Sequence, residues 1–194
     1  MSTLIVTANP NESSLTHYAA KELGERLGLD VTTAHLAQEG FDPRWTVQDS
    51  LVYNHDAEYS EDLKFEQKRV EAADHLVLAF PVYWWSMPAL LKGWIDRVLM
   101  GKWAFNRDPD LKMASNLPDL TVHLLAIANT HAESFDRHGY RSAYRTQIEE
   151  GIIKFSGLHL GRTEFVFQSQ LANDTVIRDL DDAVSNIAAF INLG

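Results

Sequence analysis

The chain has 194 residues, 45% of them hydrophobic and 23% charged, with 17 Lys and Arg against 27 Asp and Glu for a formal net charge of −10. This is the composition of a globular protein, long enough for one domain with a sizeable core, and residues 1–194 are read as a single domain. Nucleic acid is a poor partner for so acidic a chain, and the absence of cysteine excludes disulfides and thiolate chemistry, so any redox activity must come from a bound cofactor.

The chain starts from Met1-Ser2-Thr3 and passes directly into the apolar run Leu4-Ile5-Val6, without a basic leader or a small-residue cleavage site. That start implies a cytoplasmic location. The longer apolar runs, Leu76–Phe80 and Leu120–Ala128, fall short of the roughly 20 residues a spanning helix needs and read as buried strands, so no transmembrane segment is expected.

Leu4–Thr7 is the first predicted strand, ended by Asn9-Pro10-Asn11. Ser14 caps a helix in which Leu15, Tyr18, Ala19, Leu23 and Leu27 share a face. Gly28 closes it, and Asp30–Leu36 is the second strand. From Ala37 to Tyr59 no period is visible and Gly40, Pro43 and Asn54 interrupt the chain, which predicts a long surface excursion bordering a site or a subunit contact. Ser60-Glu61-Asp62 starts a helix that buries Leu63, Val70 and Ala73. His75–Phe80 is a nearly continuous apolar strand, as expected in a sheet covered on both faces, and it ends at Pro81.

A helix follows from Pro88 to Gly101, then a fourth strand over Leu120–Ala128. An amphipathic helix over Tyr144–Phe155 stops near Gly157, a fifth strand spans Thr163–Phe167, and a helix over Thr175–Leu193 closes the chain. Alternation of strands and helices predicts an α/β fold with a five-stranded parallel sheet and helices on both faces. A doubly wound sheet of this type binds its ligand beyond the carboxyl ends of its strands, so the loops after strands one, three and four are the informative ones.

The first of these, Asn9 to Thr16, places the hydroxyls of Ser13, Ser14 and Thr16 and several free amides at a helix start. That arrangement suits a phosphate as well as a simple helix cap. Neither a P-loop lysine nor a G-x-G-x-x-G turn is present. The second loop, Pro81-Val82-Tyr83-Trp84-Trp85-Ser86-Met87-Pro88, sets three aromatic rings between two prolines. A planar cofactor ring needs such flat apolar walls, with backbone donors at its edge, although the same rings could serve a core or an interface.

The stretch Phe80 to Val98, with Pro81-Val82-Tyr83-Trp84-Trp85, Pro88-Ala89-Leu90-Leu91-Lys92-Gly93-Trp94 and Asp96-Arg97-Val98, resembles the signature of the NAD(P)H:quinone oxidoreductase family of flavodoxin-like proteins. Glu66 to Asp74, Gly101 to Phe105, and Asn9-Pro10 with Ser14-Leu15-Thr16 extend the resemblance from residue 3 to about residue 160. It implies a flavodoxin-like sheet of order 2-1-3-4-5. It also implies a flavoprotein that passes hydride from NAD(P)H through bound flavin to a quinone or similar electrophile, by a ping-pong sequence.

By the same resemblance, Asn9, Ser14, Leu15 and Thr16 would hold the flavin phosphate, and Pro81, Val82, Tyr83, Trp84 and Trp85 would lie along the ring. Gln67 would reach the far end of FAD, the cofactor favoured over FMN. In the third loop, Asn129 and Thr130 stand where relatives carry two glycines, and Phe135 replaces a tyrosine. His131, His138, Tyr140 and Arg141 remain as proton donors or charge partners for the reduced ring. The resemblance further implies a homodimer, with residues 37–59 and Trp103-Ala104-Phe105 at the partner's pocket. It leaves a second functional reading, a flavin-bound regulatory subunit of a membrane ion-efflux system.

Other groupings are weaker. Asp56, Glu58, Glu61 and Asp62 read as a solvated helix start rather than a metal site. Ser13, Ser14 and His17 lack the G-x-S-x-G turn of a hydrolase nucleophile. His123, inside a strand, reads as a structural histidine.

Overall fold

A computed structural model describes residues 1–28, 30–107 and 113–193. Five strands form one parallel sheet: β1 (Thr3–Thr7), β2 (Val31–His35), β3 (His75–Pro81), β6 (Thr121–Ile127) and β7 (His159–Val166), in the order β2-β1-β3-β6-β7. This is the expected 2-1-3-4-5 order, with the antiparallel pair β4 (Phe105–Arg107) and β5 (Met113–Ser115) inserted between the third and fourth sheet strands. The short pair lies outside the periodic runs and escapes sequence reading.

Alternation along each strand divides the core in two. Leu4, Val6, Leu76, Leu78, Phe80, Leu124 and Ala126 face one side, where they meet Leu63 and Val70 of α3 (Glu61–Glu71) and Leu91, Trp94 and Val98 of α4 (Ala89–Val98). Ile5, Val77, Ala79, Leu125 and Ile127 face the other, against Ala19, Ala20 and Leu23 of α1 (Leu15–Leu27) and Val176, Leu180, Val184 and Ile187 of α7 (Asp174–Leu193). No helix among the described residues is long and apolar enough to cross a membrane.

The segment 37–59 departs from expectation: it is not an irregular excursion. It contains α2 (Val47–Tyr53), started by a capping box in which Thr46 and Asp49 bond each other's backbone amides. The buried Asp49 carboxylate also accepts from Arg97 Nε at 3.1 Å, while Arg97 donates to the Asp42 carbonyl at 2.6 Å. One guanidinium on α4 therefore ties the stretch before α2, at Asp42, to the first turn of α2, at Asp49. Sequence periodicity misses this because a helix of about two turns held by a distant arginine has no repeating apolar face.

Gly93 completes the clamp. A Cβ at Gly93 would lie 2.2 Å from the Pro43 carbonyl oxygen, so only glycine lets the α4 backbone reach this segment. The predicted helix over Tyr144–Phe155 begins earlier, as α5 (Ala132–Arg137), α6 (Tyr140–Tyr144) and a π-helical continuation, Arg145–Lys154.

Two histidines cross the amino-terminal end of the sheet. The Arg162 amide donates to His123 Nδ1 at 3.0 Å, which leaves the proton on Nε2 for donation to His75 Nδ1 at 3.1 Å. The ring fits because β6 and β7 shift register between Val122 and Leu124 and because residue 161 is glycine, where a Cβ would lie 2.4 Å from the ring. His123 is thus the structural histidine expected, kept neutral chiefly by burial, which lowers its pKa to about 3.

Two outcomes follow from this packing. Gly93→Ala forces a backbone clash and is expected to cost about 1–3 kcal/mol, the usual range for overpacking, read from the urea midpoint; an unchanged midpoint contradicts the clamp. His123 titrates near 6.5 when unfolded and near 3 when folded, so between those values the unfolded chain binds the extra proton. Stability is lost as pH falls through that window, by up to about 1.4 kcal/mol per pH unit from this ring. His123→Gln should flatten that part of the stability profile, and an identical slope in the variant would show that the ring contributes nothing.

Candidate functional site

Parallel pairing brings the carboxyl ends of three neighbouring strands to one edge. The Ala8 amide bonds to the Ala79 carbonyl (3.2 Å) and the Val82 amide to the Ile127 carbonyl (2.8 Å), so the loops after β1, β3 and β6 leave the sheet side by side.

The loop after β1 is held by its own side chains. Asn9 Oδ1 accepts from the Asn11 amide at 3.0 Å, and Asn9 Nδ2 donates to Thr16 Oγ1 at 3.3 Å. His17 Nε2 donates to the Asn9 carbonyl at 2.8 Å, and Ser14 Oγ caps the helix by accepting the His17 amide. The Leu15 and Thr16 amides, in the first turn, have no partner within the helix. Thr16 itself is only 1% exposed, and its hydroxyl is taken by Asn9. His17 is engaged by Asn9 rather than by a serine, which leaves no Ser–His pair for hydrolysis.

The loop after β3 makes a two-residue turn. Tyr83 and Ser86 exchange backbone hydrogen bonds at 2.9 and 3.1 Å, with Trp84 (φ 47°) and Trp85 (φ 65°) at the tip. Positive φ at both central residues defines a mirror-image turn, normally occupied by Asn-Gly, and is strained for side chains this large. Trp84 is 93% exposed. Trp85 stacks on Tyr140 at 3.8 Å with 6° between the planes.

The loop after β6 faces this turn. Val82, Trp84, Trp85, Ala128, Asn129 and Thr130 line a cleft of about 340 Å³, at the lower end of the ~300–1,000 Å³ typical of small-ligand sites. The loop is anchored from the far side: Gln168 donates its amide to the Thr130 carbonyl, and Gln168 Nε2 lies 2.9 Å from His131 Nδ1. Beneath the cleft Phe135 is fully buried, in contact with Phe165, Phe167, Tyr140 and Trp85. Arg141 lies over Phe135, Phe165 and Phe167 and pairs with Asp136.

The structure therefore gathers Val82, Trp84, Trp85, Asn129 and Thr130 at one cleft, with Pro81 at the end of β3 and Phe135 and Tyr140 behind the rings. Asn9, Ser14 and Leu15 sit on the adjoining loop. Ser14 also borders a larger groove of about 1,020 Å³ that runs along α1 to the exposed edge at β2, away from the aromatic rings. His138 is exposed, 5.7 Å from the Tyr140 ring. Gln67 lies elsewhere: it is 4% exposed within the α3–α4 layer, beside Tyr59. It lines neither opening.

Phe165, Phe167 and Gln168 support the site and escape the sequence reading. The alternation Phe165-Val166-Phe167 at the end of the last strand is the signal that could have found the two rings. No cluster of metal-ligating side chains occurs among the described residues.

A family model described as a flavodoxin-like fold matches residues 1–191. Ribosyldihydronicotinamide dehydrogenase (quinone) of Pongo abelii is 30% identical over 180 residues, spanning 83% of this chain and 77% of the relative. The NAD(P)H:quinone oxidoreductase of Methanothermobacter marburgensis superposes with a TM-score of 0.86 at 21% identity, covering 95% of this chain and 96% of that one. An FMN-dependent NADH-azoreductase of Bacillus anthracis str. Ames Ancestor, solved in complex with FMN, superposes with a TM-score of 0.74 at 15% identity, covering 97% and 98%. The chain belongs to the flavodoxin-like fold family and, within it, to the NAD(P)H:quinone oxidoreductase family of oxidoreductase enzymes.

The turn geometry yields a direct test. Trp84→Asn removes little buried surface and replaces a residue strained at positive φ by one that tolerates it. The variant should be more stable by about 1 kcal/mol in denaturant unfolding, whereas a loss of stability would mean that Trp84 is packed in solution.

Proposed function

We propose that the chain is one flavin-binding domain that takes hydride from NAD(P)H and passes it to a quinone or similar electrophile. The observation that carries the reading is the facing of two loops across one cleft: the strained Trp84–Trp85 turn at the end of β3 and Asn129–Thr130 at the end of β6. The start of α1, in the loop after β1, lies one strand away and suits an anion. The donor set fits the cofactor: amides and a serine hydroxyl for a phosphate, flat apolar walls for a ring.

In this reading Ser14 Oγ and the Leu15 and Thr16 amides hold the phosphate, with Asn9 keeping their loop in shape. Pro81, Val82, Tyr83, Trp84 and Trp85 border the ring, Asn129 and Thr130 close its other side, and Phe135 supports the floor. Bound flavin supplies the capacity to accept hydride from the nicotinamide and release it to the acceptor. The protein positions the reactants and excludes water, while the cationic Arg141 and the donors His131 and His138 favour negative charge developing at the cleft. Nicotinamide and quinone occupy the same cleft in turn, so the kinetics are ping-pong.

FAD is the preferred cofactor, with FMN as the alternative. The location is cytoplasmic and the assembly a homodimer. The exposed Trp45, Val47, Leu51 and Tyr53, on and beside α2, form an apolar surface next to a cleft containing Ile95, Leu99 and Phe105. A second copy would bury that surface. Gel filtration should give a dimer.

Absorbance spectroscopy of the purified protein tests the function. Oxidised-flavin bands should bleach under anaerobic NADH or NADPH and return when a quinone is added, and mass analysis of the released cofactor decides between FAD and FMN. A protein that neither carries nor takes up flavin sinks the proposal. Bound flavin with negligible quinone turnover would move the chain to the regulatory-subunit reading.

A further inference from the structure

We infer that Tyr140 is a positioning residue for Trp85 and acts through its ring, not through its hydroxyl. The inference rests on the proposed function and replaces the proton-donor role that the family resemblance gives Tyr140. Trp85 lines the cleft, and the Tyr140 ring lies parallel to the indole at 3.8 Å and 6°. Tyr140 is not among the residues lining the cleft, so its ring backs Trp85 from outside the opening.

The stack answers a specific difficulty. Trp85 sits at φ 65°, a backbone conformation that a bulky residue leaves readily unless its surroundings hold it there. The Tyr83–Ser86 hydrogen bonds fix the turn's base but leave the indole free to rotate about its side-chain bonds. Tyr140 removes that freedom. It is itself seated, with its ring 5.9 Å from Phe135, which is fully buried against Phe165 and Phe167. A continuous aromatic column thus runs from the sheet to the cleft wall. A wall set in place before a planar ligand arrives saves the ordering cost of binding.

A proton-donating role and a positioning role for Tyr140 make opposite demands on Tyr140→Phe, which keeps the ring and loses the hydroxyl. The experiment uses the full chain labelled with 5-fluorotryptophan, the Trp85 fluorine resonance being assigned from Trp85→Phe. Ligand-free spectra are compared for the parent, Tyr140→Phe and Tyr140→Leu, followed by titration with FAD and FMN and by quinone-reductase kinetics. Thermal melts establish that each variant is folded, as expected for a residue only half buried.

In Tyr140→Phe the resonance should stay in place, with flavin affinity and kcat both near those of the parent. In Tyr140→Leu it should shift and broaden, and the flavin dissociation constant should rise about tenfold, roughly 1.4 kcal/mol. An unmoved Trp85 resonance in Tyr140→Leu overturns the inference. So does a Tyr140→Phe variant as impaired in turnover as Tyr140→Leu, since that would place the function in the hydroxyl. A parent protein that binds no flavin overturns the functional reading instead, and the ligand-free spectra still decide whether Tyr140 sets the indole.

Discussion

Parallel pairing of β1 with β3 and of β3 with β6 is the constraint on which the rest of the molecule depends. Each pair runs in register, Thr7 opposite Ala79 and Pro81 opposite Ile127, so the three chains leave the sheet together. Parallel strands require crossovers, and the crossovers cover both faces with helices. The three central strands, β1, β3 and β6, are consequently buried on both sides, and only the loops at their ends reach solvent. The candidate site lies at the strand ends, beside the switch in strand order.

Buried charge organises the layer formed by α3 and α4. Trp94 donates to Glu66 at 2.8 Å, Glu66 pairs with Arg69, and Arg69 continues to Glu39 and the Thr33 carbonyl. Arg97 and Asp49 make a second, more deeply buried pair. Such pairs contribute little net stability over well-packed apolar groups, but removing one partner strands the other. Their effect here is to fix where the 37–59 segment lies, and so where α2 presents Trp45 and Tyr53.

The aromatic site is built on the opposite principle, rings instead of charge. Trp85, Tyr140, Phe135, Phe165 and Phe167 touch in sequence from cleft to sheet, with Arg141 laid over three of them. This arrangement supplies an apolar wall within an acidic protein, with one cation laid over the rings behind it. Strain at Trp84 and Trp85 is confined to the turn, where hydrogen bonds on both sides of the tip hold it.

The sheet and the three loops at its carboxyl edge were legible in the sequence, because the buried central strands are written as unbroken apolar runs, and the strand order came with the resemblance carried by the Pro81–Pro88 loop. The amino-acid order also determined Ser14 as a helix cap and His123 as a structural residue, each through local pattern. Only the tertiary structure decided that 37–59 is pinned by Arg97, that Gln67 points into the helical layer, that Thr16 braces Asn9, and that Tyr140 backs Trp85. These four facts are contacts between residues separated in the chain, or choices of side-chain direction within one turn. Periodicity carries neither: it records which face of an element is apolar, not which distant group that face will meet.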